Sequence, residues 1–412
     1  MDPVRNPFAP GAGTPPPELA GRGDIIGRAE TTFARVRESR PSKSFLFVGL
    51  RGVGKTVLLN KMHEIAQAQG YKAVFIEATE DKALPALLYP YLRQLLLNLD
   101  RMEQLNEHVK RGLRVLRSFA NSVKVKYEGI EVGLDIDPET GAADSGDLEA
   151  DLPELMLAVA EAAASRKIPV ALIVDEMQYL SEIELSALIT AIHRINQKQL
   201  PLILVGAGLP QLVGLTGKAK SYAERLFDFP RVGALATLDA QNALQGPARR
   251  EGCEFTNDAL EEILRVTEGY PYFLQEWGYH AWNMAVSSPI KIGTVQSGHQ
   301  AVTERLDESF FRVRFDRLTP SEKDYLRAMA ELPGPRRSGD IAALLGVQGT
   351  SVAPRRSGLI KKGMIYSPAH GDTEFTVPMF DQFMKRIMPN WKKRTAVSGS
   401  DEGSPNLCSA SQ

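Results

Sequence analysis

Apolar residues fall into short unbroken runs along the first half of the chain, with stretches of mixed apolar and polar residues between them. The runs lie at 45–48, 73–76, 170–174 and 202–205, and residues 227–230, which include Asp228, can supply a last, shorter strand. Between the runs, apolar residues recur every three or four positions, which is the period of an amphipathic helix. Unbroken apolar strands that alternate with helices are typical of a parallel sheet covered on both faces. The pattern therefore predicts an α/β fold with a three-layer core over residues 19–238.

The pattern changes between about 122 and 151. Apolar and polar residues alternate on both sides of Gly129, from Val123 to Ile136, which predicts a β-hairpin. Residues 135–151 then carry seven acidic residues together with Pro and Gly, and we expect a mobile acidic loop there. This insertion is either a decoration of the core or an arm that binds a partner.

Strand patterns stop after about 238, and two further regions follow. Residues 239–310 read as helices separated by turns, which predicts a small helical lid. In residues 311–394, a capping box at 319–322 opens a helix, two more helices flank a turn at 346–349, and a hairpin follows. Helix, helix-turn-helix and hairpin in this order predict a winged helix-turn-helix.

The two ends of the chain differ in composition from the rest. Residues 1–18 are rich in Pro and Gly, which predicts a flexible N-terminal lead, and the polar residues 395–412 predict a disordered tail. The 412 residues contain no apolar run near the ~18 that a membrane span needs, so we expect no membrane contact. Two cysteines, Cys253 and Cys408, form neither a disulfide framework nor a metal-ligand pattern, which favours a cytoplasmic location.

One motif carries the strongest chemical signal. The octapeptide after the first predicted strand has the spacing G-x-x-x-x-G-K-[ST], and a helical pattern follows it. Glycines let the backbone turn its N–H groups toward phosphates, and a lysine and a hydroxyl serve the phosphates and Mg²⁺. We therefore expect ATP and Mg²⁺ as cofactors. The predicted nucleotide-binding residues here are Gly49, Leu50, Arg51, Gly52, Val53, Gly54, Lys55, Thr56 and Val57, of which Thr56 is also a metal ligand.

A second chemical feature ends the run at 170–174. Asp175 and Glu176 are adjacent acids at the end of a buried strand, where a cation or hydrogen bonds must compensate them. Asp175 is the predicted Mg²⁺ ligand, and Glu176 is the predicted general base that polarises the attacking water. Lys55 and Glu176 are both predicted catalytic residues. Gln178 could orient water or a partner, or be a polar residue at a helix start.

The P-loop, the Asp-Glu pair and an extra strand between them resemble the additional-strand ATPases of the AAA+ and STAND types. Residues 19–24 look like the Gly-Arg motif that precedes the P-loop in this group, with Arg22 near the nucleotide. Residues 269–274 look like the G-x-P motif of the lid, whose Pro271 would pack near the adenine. Arg225 lies where an arginine finger would project into a neighbouring subunit, and a local ion pair is the competing interpretation. With the C-terminal winged helix, the resemblance is closest to bacterial and archaeal origin-recognition-like ATPases.

No polar side chain stands at the end of the strand that includes Val205, where AAA+ proteins often carry a sensor residue. The resemblance therefore leaves open how the γ-phosphate is sensed.

Charge is distributed unevenly along the chain. The net charge is −1, but residues 312–394 carry 16 Lys or Arg against 8 Asp or Glu, a net of +8. A basic C-terminal region on an acidic body indicates an anionic partner, although a solvated basic face gives the same count. We expect the helix at 350–362 to read double-stranded DNA. The predicted DNA-contacting residues are Arg336, Arg337, Arg355, Arg356, Lys361 and Lys362.

The sequence favours an ATP-hydrolysing switch or loader that binds ATP, ADP and double-stranded DNA. The alternative is a STAND-type signalling ATPase whose winged helix docks on protein and holds the core inactive. A third possibility is a nucleotide-dependent scaffold that hardly hydrolyses ATP. The sequence leaves a homo-oligomer or a protein partner open.

Overall fold

The fold is taken from a computed structural model of the chain. The structure describes residues 1–11, 14–100, 106–123, 136–369 and 371–391, with the side chain of Asp100 excepted. The chain divides into two compact units, residues 1–305 and the residues from 306 onward.

The first unit is built on five parallel strands: β1 (Ser44–Val48), β2 (Lys72–Glu77), β3 (Val170–Asp175), β4 (Leu202–Gly208) and β5 (Phe227–Asp228). Their order across the sheet is β2-β3-β4-β1-β5. The register pairs Phe45 with Val205, and Ile173 pairs with the same Val205 from the other side. Strand β4 therefore lies between the strand of the P-loop and the strand of the two acids. The predicted parallel sheet with an additional strand is confirmed.

Alternate residues of the central strands face different helices. The bounds of the eight helices in this part are α1 (Gly23–Arg37), α2 (Lys55–Ala68), α3 (Leu84–Asp100), α4 (Glu107–Ser122), α5 (Leu148–Ser165), α6 (Glu182–Gln197), α7 (Leu212–Ala219) and α8 (Ala223–Leu226). Leu46, Leu172 and Leu204 belong to one apolar cluster with buried residues of α3 to α6. Helix α2 packs on the opposite face of the sheet, and α1 contacts α2 there. This arrangement gives the three layers that the sequence predicts.

The residues from 136 to α5 differ from the expected mobile loop. Asp151 is 2% exposed and accepts hydrogen bonds from the Ser145 hydroxyl at 2.7 Å, the Gly146 N–H at 2.9 Å and the Ser122 hydroxyl at 3.0 Å. A buried carboxylate with several donors fixes the backbone around it. The acidic residues of 136–151 are therefore partly structural. Most of the predicted hairpin, residues 124–135, lies outside the described residues.

Four helices follow the sheet: α9 (Thr237–Arg250), α10 (Asn257–Thr267), α11 (Pro271–Met284) and α12 (Ile292–Arg305). They pack on one another in the region predicted as the lid.

The N-terminal residues pack on these helices and are not a flexible lead. Phe8 is 3% exposed and lies edge-on to Phe255, and the Asn6 amide donates to the Tyr279 carbonyl at 2.9 Å. The Trp282 indole donates to the Asp2 carbonyl at 2.9 Å. The prediction of flexibility is wrong for residues 1–11, because one buried aromatic ring and specific hydrogen bonds offset the entropy that a Pro-rich segment loses on ordering.

The second unit begins with a π-helix at Leu306–Phe311. It continues with α13 (Arg312–Asp316), α14 (Pro320–Met329), β6 (Arg336–Arg337), α15 (Ser338–Leu345), α16 (Gly349–Lys361), β7 (Ile365–Tyr366), β8 (Asp372–Phe375) and α17 (Phe380–Ile387). The three strands form an antiparallel sheet in the order β6-β8-β7. Thr319 and Glu322 form the predicted capping box of α14. Three helices followed by a hairpin are the elements that the sequence predicts for a winged helix-turn-helix.

Among the residues that the structure describes, no helix combines the length and the apolar character needed to cross a membrane.

Candidate nucleotide-binding site

The predicted phosphate-binding loop connects β1 to the first turn of α2. Gly52 and Gly54 have φ of 81° and 92°, which is the left-handed region that glycine adopts without strain. A Cβ on Gly49 would lie 2.0 Å from the Val232 carbonyl oxygen, so a side chain does not fit there. Gly54 immediately precedes α2, and the free N–H groups of that first turn and the helix dipole favour an anion. The loop fits a phosphate chain.

Lys55 is the buried cation of this loop. Its side chain is 6% exposed, and its Nζ donates to the carbonyls of Leu50 at 2.8 Å and Gly49 at 3.1 Å. Burial lowers the pKa of Lys55, and the charges of Glu176 and Asp175 oppose that shift. Two carboxylates near a buried ammonium partly offset the cost of its burial, and the ammonium lies where it would meet further negative charge at the loop.

The loop and the acidic strand end meet at one contact. The Thr56 hydroxyl donates to Asp175 Oδ2 at 2.6 Å. Asp175 is 3% exposed, and burial raises its pKa against the opposing hydrogen bond from Thr56. Hydroxyl and carboxylate oxygens are the ligands that Mg²⁺ prefers, so this donor set fits the ion expected from the sequence.

Glu176 follows Asp175 in an unusual backbone conformation. Its φ of 53° and ψ of 37° are left-handed, and its N–H donates to Asp175 Oδ1 at 2.8 Å. Gln178 Nε2 donates to Glu176 Oε2. Gln178 Oε1 in turn accepts from the Leu209 N–H, at the end of β4, at 3.0 Å. The sequence left two interpretations of Gln178 open, a residue that orients water or a partner and a polar residue at a helix start. Its contact with β4 could not be predicted, because that contact depends on the order of strands in the sheet.

The remaining loop residues contact neighbouring elements. Arg51 Nη2 donates to the Tyr179 hydroxyl at 2.7 Å, which ties the loop to the turn after Glu176. Val53 is buried, while Leu50 and Val57 are half-buried.

Tyr270 and Tyr272, the residues on either side of Pro271, contact the loop at Gly52. A Cβ on Gly52 would lie 3.1 Å from the Tyr270 ring and 3.3 Å from Tyr272 Cβ, and the Tyr272 N–H donates to the Gly52 carbonyl at 3.3 Å. Pro271 is the first residue of α11 and lies between them. The structure thus brings the predicted lid motif onto the phosphate-binding loop. The sequence analysis did not identify Tyr270 and Tyr272, although both belong to the motif that contains Pro271.

Arg22 connects the loop to the segment after β5. Its Nη2 donates to the Gly233 carbonyl at 2.5 Å and to the Val53 carbonyl at 3.4 Å. Burial lowers its pKa, and the charge of Asp239 opposes the shift. Arg22 lies at the loop. Its two hydrogen bonds join the loop, at Val53, to the segment after β5, at Gly233.

Arg225 lies near the amino-terminal ends of β1 and β5, whereas the P-loop follows the carboxyl-terminal end of β1. Its helix, α8, runs directly into β5, and β5 pairs with Ser44 at the start of β1. Lys43 Nζ donates to the Glu224 carbonyl at 3.2 Å. Since the P-loop follows the end of β1, the exposed Arg225 lies toward the opposite end of that strand from the P-loop of its own chain. A role as a finger in a neighbouring subunit remains a prediction.

Three of the six residues predicted to contact DNA are engaged inside the second unit. Arg336 donates to Glu374 at 2.6 Å, Arg356 to the Asp372 carbonyl at 3.0 Å, and Lys362 to Glu322 at 2.7 Å. These side chains hold strands and helices together, and their assignment as DNA contacts stays a prediction. Arg337 and Lys361 are exposed and Arg355 is half-buried.

Comparisons with known proteins bear on both units. Residues 18–205 match a family described as an AAA ATPase domain, and residues 308–384 match one described as domain of unknown function DUF8462. An uncharacterised HTH-type transcriptional regulator of Methanocaldococcus jannaschii is 22% identical over 342 residues, which span 80% of this chain and 79% of the relative.

The fold of this chain is also similar to those of solved structures. A Walker-type ATPase of Pyrococcus abyssi has a TM-score of 0.51 at 15% identity, covering 89% of this chain and 96% of that chain, and this likeness shows the fold. The Orc1 protein of Aeropyrum pernix in complex with DNA has a TM-score of 0.48 at 16% identity, covering 93% of this chain and 96% of that chain.

Proposed function

We propose, from the match of residues 18–205 to an AAA ATPase domain, that the chain binds and hydrolyses ATP as a nucleotide-driven switch or loader. Its second unit binds double-stranded DNA. The observation that carries the hydrolytic part is the 2.6 Å contact between Thr56 and Asp175. It brings the phosphate-binding loop and the acidic strand end to one point, and Glu176 follows directly.

Each residue of this site has a distinct role in the proposed reaction. The loop N–H groups and Lys55 bind the phosphates, and Thr56 and Asp175 would hold Mg²⁺. Mg²⁺, when bound, neutralises charge that develops on the phosphate oxygens. Glu176 accepts the proton of the attacking water, because its carboxylate lies beside the metal-ligating residue at the strand end. Tyr270 and Tyr272 contact the loop at Gly52 and position the first turn of α11 beside it.

The proposal for DNA rests on the second unit. The element order of residues 319–375 is that expected of a winged helix-turn-helix, and the relative from Methanocaldococcus jannaschii carries a helix-turn-helix description in its name. Arg337, Arg355 and Lys361 are the predicted cations that these internal pairs leave for phosphate contacts, which supply most nonspecific affinity for DNA. They define the proposed DNA surface.

One observation favours the alternative of a signalling ATPase whose second unit docks on protein. Arg336, Arg356 and Lys362 are engaged internally, so the surface offers fewer cations than the sequence count suggests. A protein partner of the second unit would leave ATP turnover insensitive to DNA.

Site variants test the hydrolytic function. We expect Glu176→Gln to bind ATP with nearly wild-type affinity and to hydrolyse it about 100-fold more slowly or worse, the usual contribution of a general base. Lys55→Ala should lose ATP binding itself. Wild-type turnover that Glu176→Gln leaves unchanged would contradict the assignment of the base, and wild-type ATP affinity in Lys55→Ala would contradict the assignment of the loop.

A further inference from the structure

The side chain of Gln178 joins Glu176 to the end of β4. The Leu209 N–H can only donate, so the oxygen of the Gln178 amide faces it at 3.0 Å. The amide NH₂ group therefore faces the Glu176 carboxylate, to which it donates. These two hydrogen bonds together fix the orientation of the amide.

The end of β4 is shaped for this contact. A Cβ on Gly208 would lie 3.0 Å from Gln178 Oε1 and 2.8 Å from Leu212 Cδ2. The absence of a side chain at Gly208 leaves space for the amide beside the strand. No polar side chain of β4 itself stands at the end of that strand, and the amide of Gln178, which follows β3, provides a polar group there.

The backbone of Glu176 makes such a contact necessary. A left-handed conformation at a residue other than glycine is sparsely populated and persists where its surroundings determine it. The conformation turns Glu176 out of the line of β3, and its side chain has three rotatable bonds. Without a second anchor, the carboxylate would sample several positions relative to the reacting water.

We propose that Gln178 is a positioning residue that holds the Glu176 carboxylate in place for water activation and couples it to β4. This inference rests on the proposed ATP hydrolysis. Gln178 acts through Glu176 and does not contact the nucleotide in this assignment, so its loss affects the turnover rate and not the affinity for ATP.

The test uses the full chain and the variant Gln178→Glu. This change keeps the size of the side chain and an oxygen acceptor for the Leu209 N–H, but it replaces the donor toward Glu176 with a second carboxylate oxygen. We expect kcat to fall by about 10- to 100-fold while the dissociation constant for ATP stays within about twofold, because positioning contributes in the transition state alone. Gln197→Glu, an exposed change of the same type at the end of α6, is the matched control and should leave both constants unchanged.

A double-mutant cycle separates positioning from general damage. In the Glu176→Gln background, Gln178→Glu should lower the residual rate no further, because residues that act as a unit are not additive. An equal loss in both backgrounds, or an unchanged kcat in the single variant, would overturn the inference.

Hydrogen exchange gives a readout that is independent of turnover. In the protein without nucleotide, the Leu209 amide should exchange faster in Gln178→Leu, which has no acceptor, and as slowly as the wild type in Gln178→Glu. Equal exchange in wild type and Gln178→Leu would overturn the contact itself. If the wild type hydrolyses no ATP while the exchange behaves as expected, the proposed function fails and the contact stands.

Discussion

The Thr56 hydroxyl donates to Asp175 Oδ2 across 2.6 Å, although the two residues are 119 positions apart in the chain. Thr56 lies in the first turn of α2 after β1, and Asp175 ends β3, with β4 between the two strands. Because all three strands are parallel, their carboxyl ends meet at one edge of the sheet. The contact joins the two residues that would hold Mg²⁺ in the proposed site.

Thr56 should matter when Mg²⁺ is present. Thr56→Val keeps the shape of the side chain and removes the hydroxyl, so we expect ATP affinity in Mg²⁺ to fall about tenfold or more and affinity in EDTA to change little. Thr56→Ser keeps the hydroxyl and should resemble the wild type. The measurement is a titration with a fluorescent ATP analogue, and an equal loss with and without Mg²⁺ would argue against a metal ligand at Thr56.

Phe8 should hold the N-terminal residues on the lid. A Cβ on Gly278 would lie 2.7 Å from the Phe8 ring, so the ring packs directly on α11. We expect Phe8→Ala to speed tryptic cleavage after Arg5 by about tenfold or more, because cleavage follows the population of the open segment. The exposed Val4 provides the control, and Val4→Ala should cleave like the wild type. Equal cleavage of Phe8→Ala and wild type would show that the segment is not held by this ring.

Glu276 should make the lid sensitive to pH. It is 2% exposed, the Tyr272 hydroxyl donates to it at 2.9 Å, and burial raises its pKa above the usual value of 4.5. The folded protein then binds more protons than the unfolded chain between the ordinary and the raised pKa, so stability falls as pH rises through that interval.

Replacing Glu276 with Gln removes this titration. The free energy of unfolding of Glu276→Gln, relative to wild type, should increase as pH rises from about 4 through the raised pKa and then stay constant. Urea unfolding at a series of pH values measures it, with the exposed Glu261→Gln as control. A difference that is independent of pH would contradict the raised pKa.

The basic residues of the second unit should divide into two groups. Replacing both Arg355 and Lys361 with Ala should weaken DNA binding and make the dependence of log K on log salt less steep by about two units, one for each lost phosphate contact. Arg356→Ala should instead lower the stability of the unit by about 1–3 kcal/mol and leave the salt slope unchanged, since Arg356 donates to Thr373 and Asp372. A change of slope in Arg356→Ala alone would reverse this division.

The core of the candidate site could be predicted from the sequence, for a physical reason. The residues from Gly49 to Thr56 are contiguous and need particular residue types, so their chemistry is local and readable. Asp175 was predictable because a carboxylate that ends a buried strand needs compensation. The resemblance to additional-strand ATPases is confirmed by the family match over residues 18–205 and by the position of β4.

Features that depend on distant partners were not predictable. Arg336 and Arg337 are neighbours with the same charge, yet one is paired with Glu374 and the other is exposed. The Pro-rich composition around Phe8 indicates flexibility, and the contact of its ring with Gly278, together with the hydrogen bonds of Asn6 and Asp2, reverses that expectation. The contact of Gln178 with Leu209 likewise requires knowledge that β3 and β4 are neighbours.

The rate of ATP hydrolysis with and without double-stranded DNA tests the central claim most directly. Saturating DNA should change the wild-type turnover rate several-fold, while the variant with Arg355 and Lys361 both replaced by Ala should hydrolyse ATP at the basal rate and respond to DNA only weakly. A wild-type rate that is measurable, depends on Glu176 and is unaffected by DNA at low salt would contradict the account of a DNA-coupled ATPase.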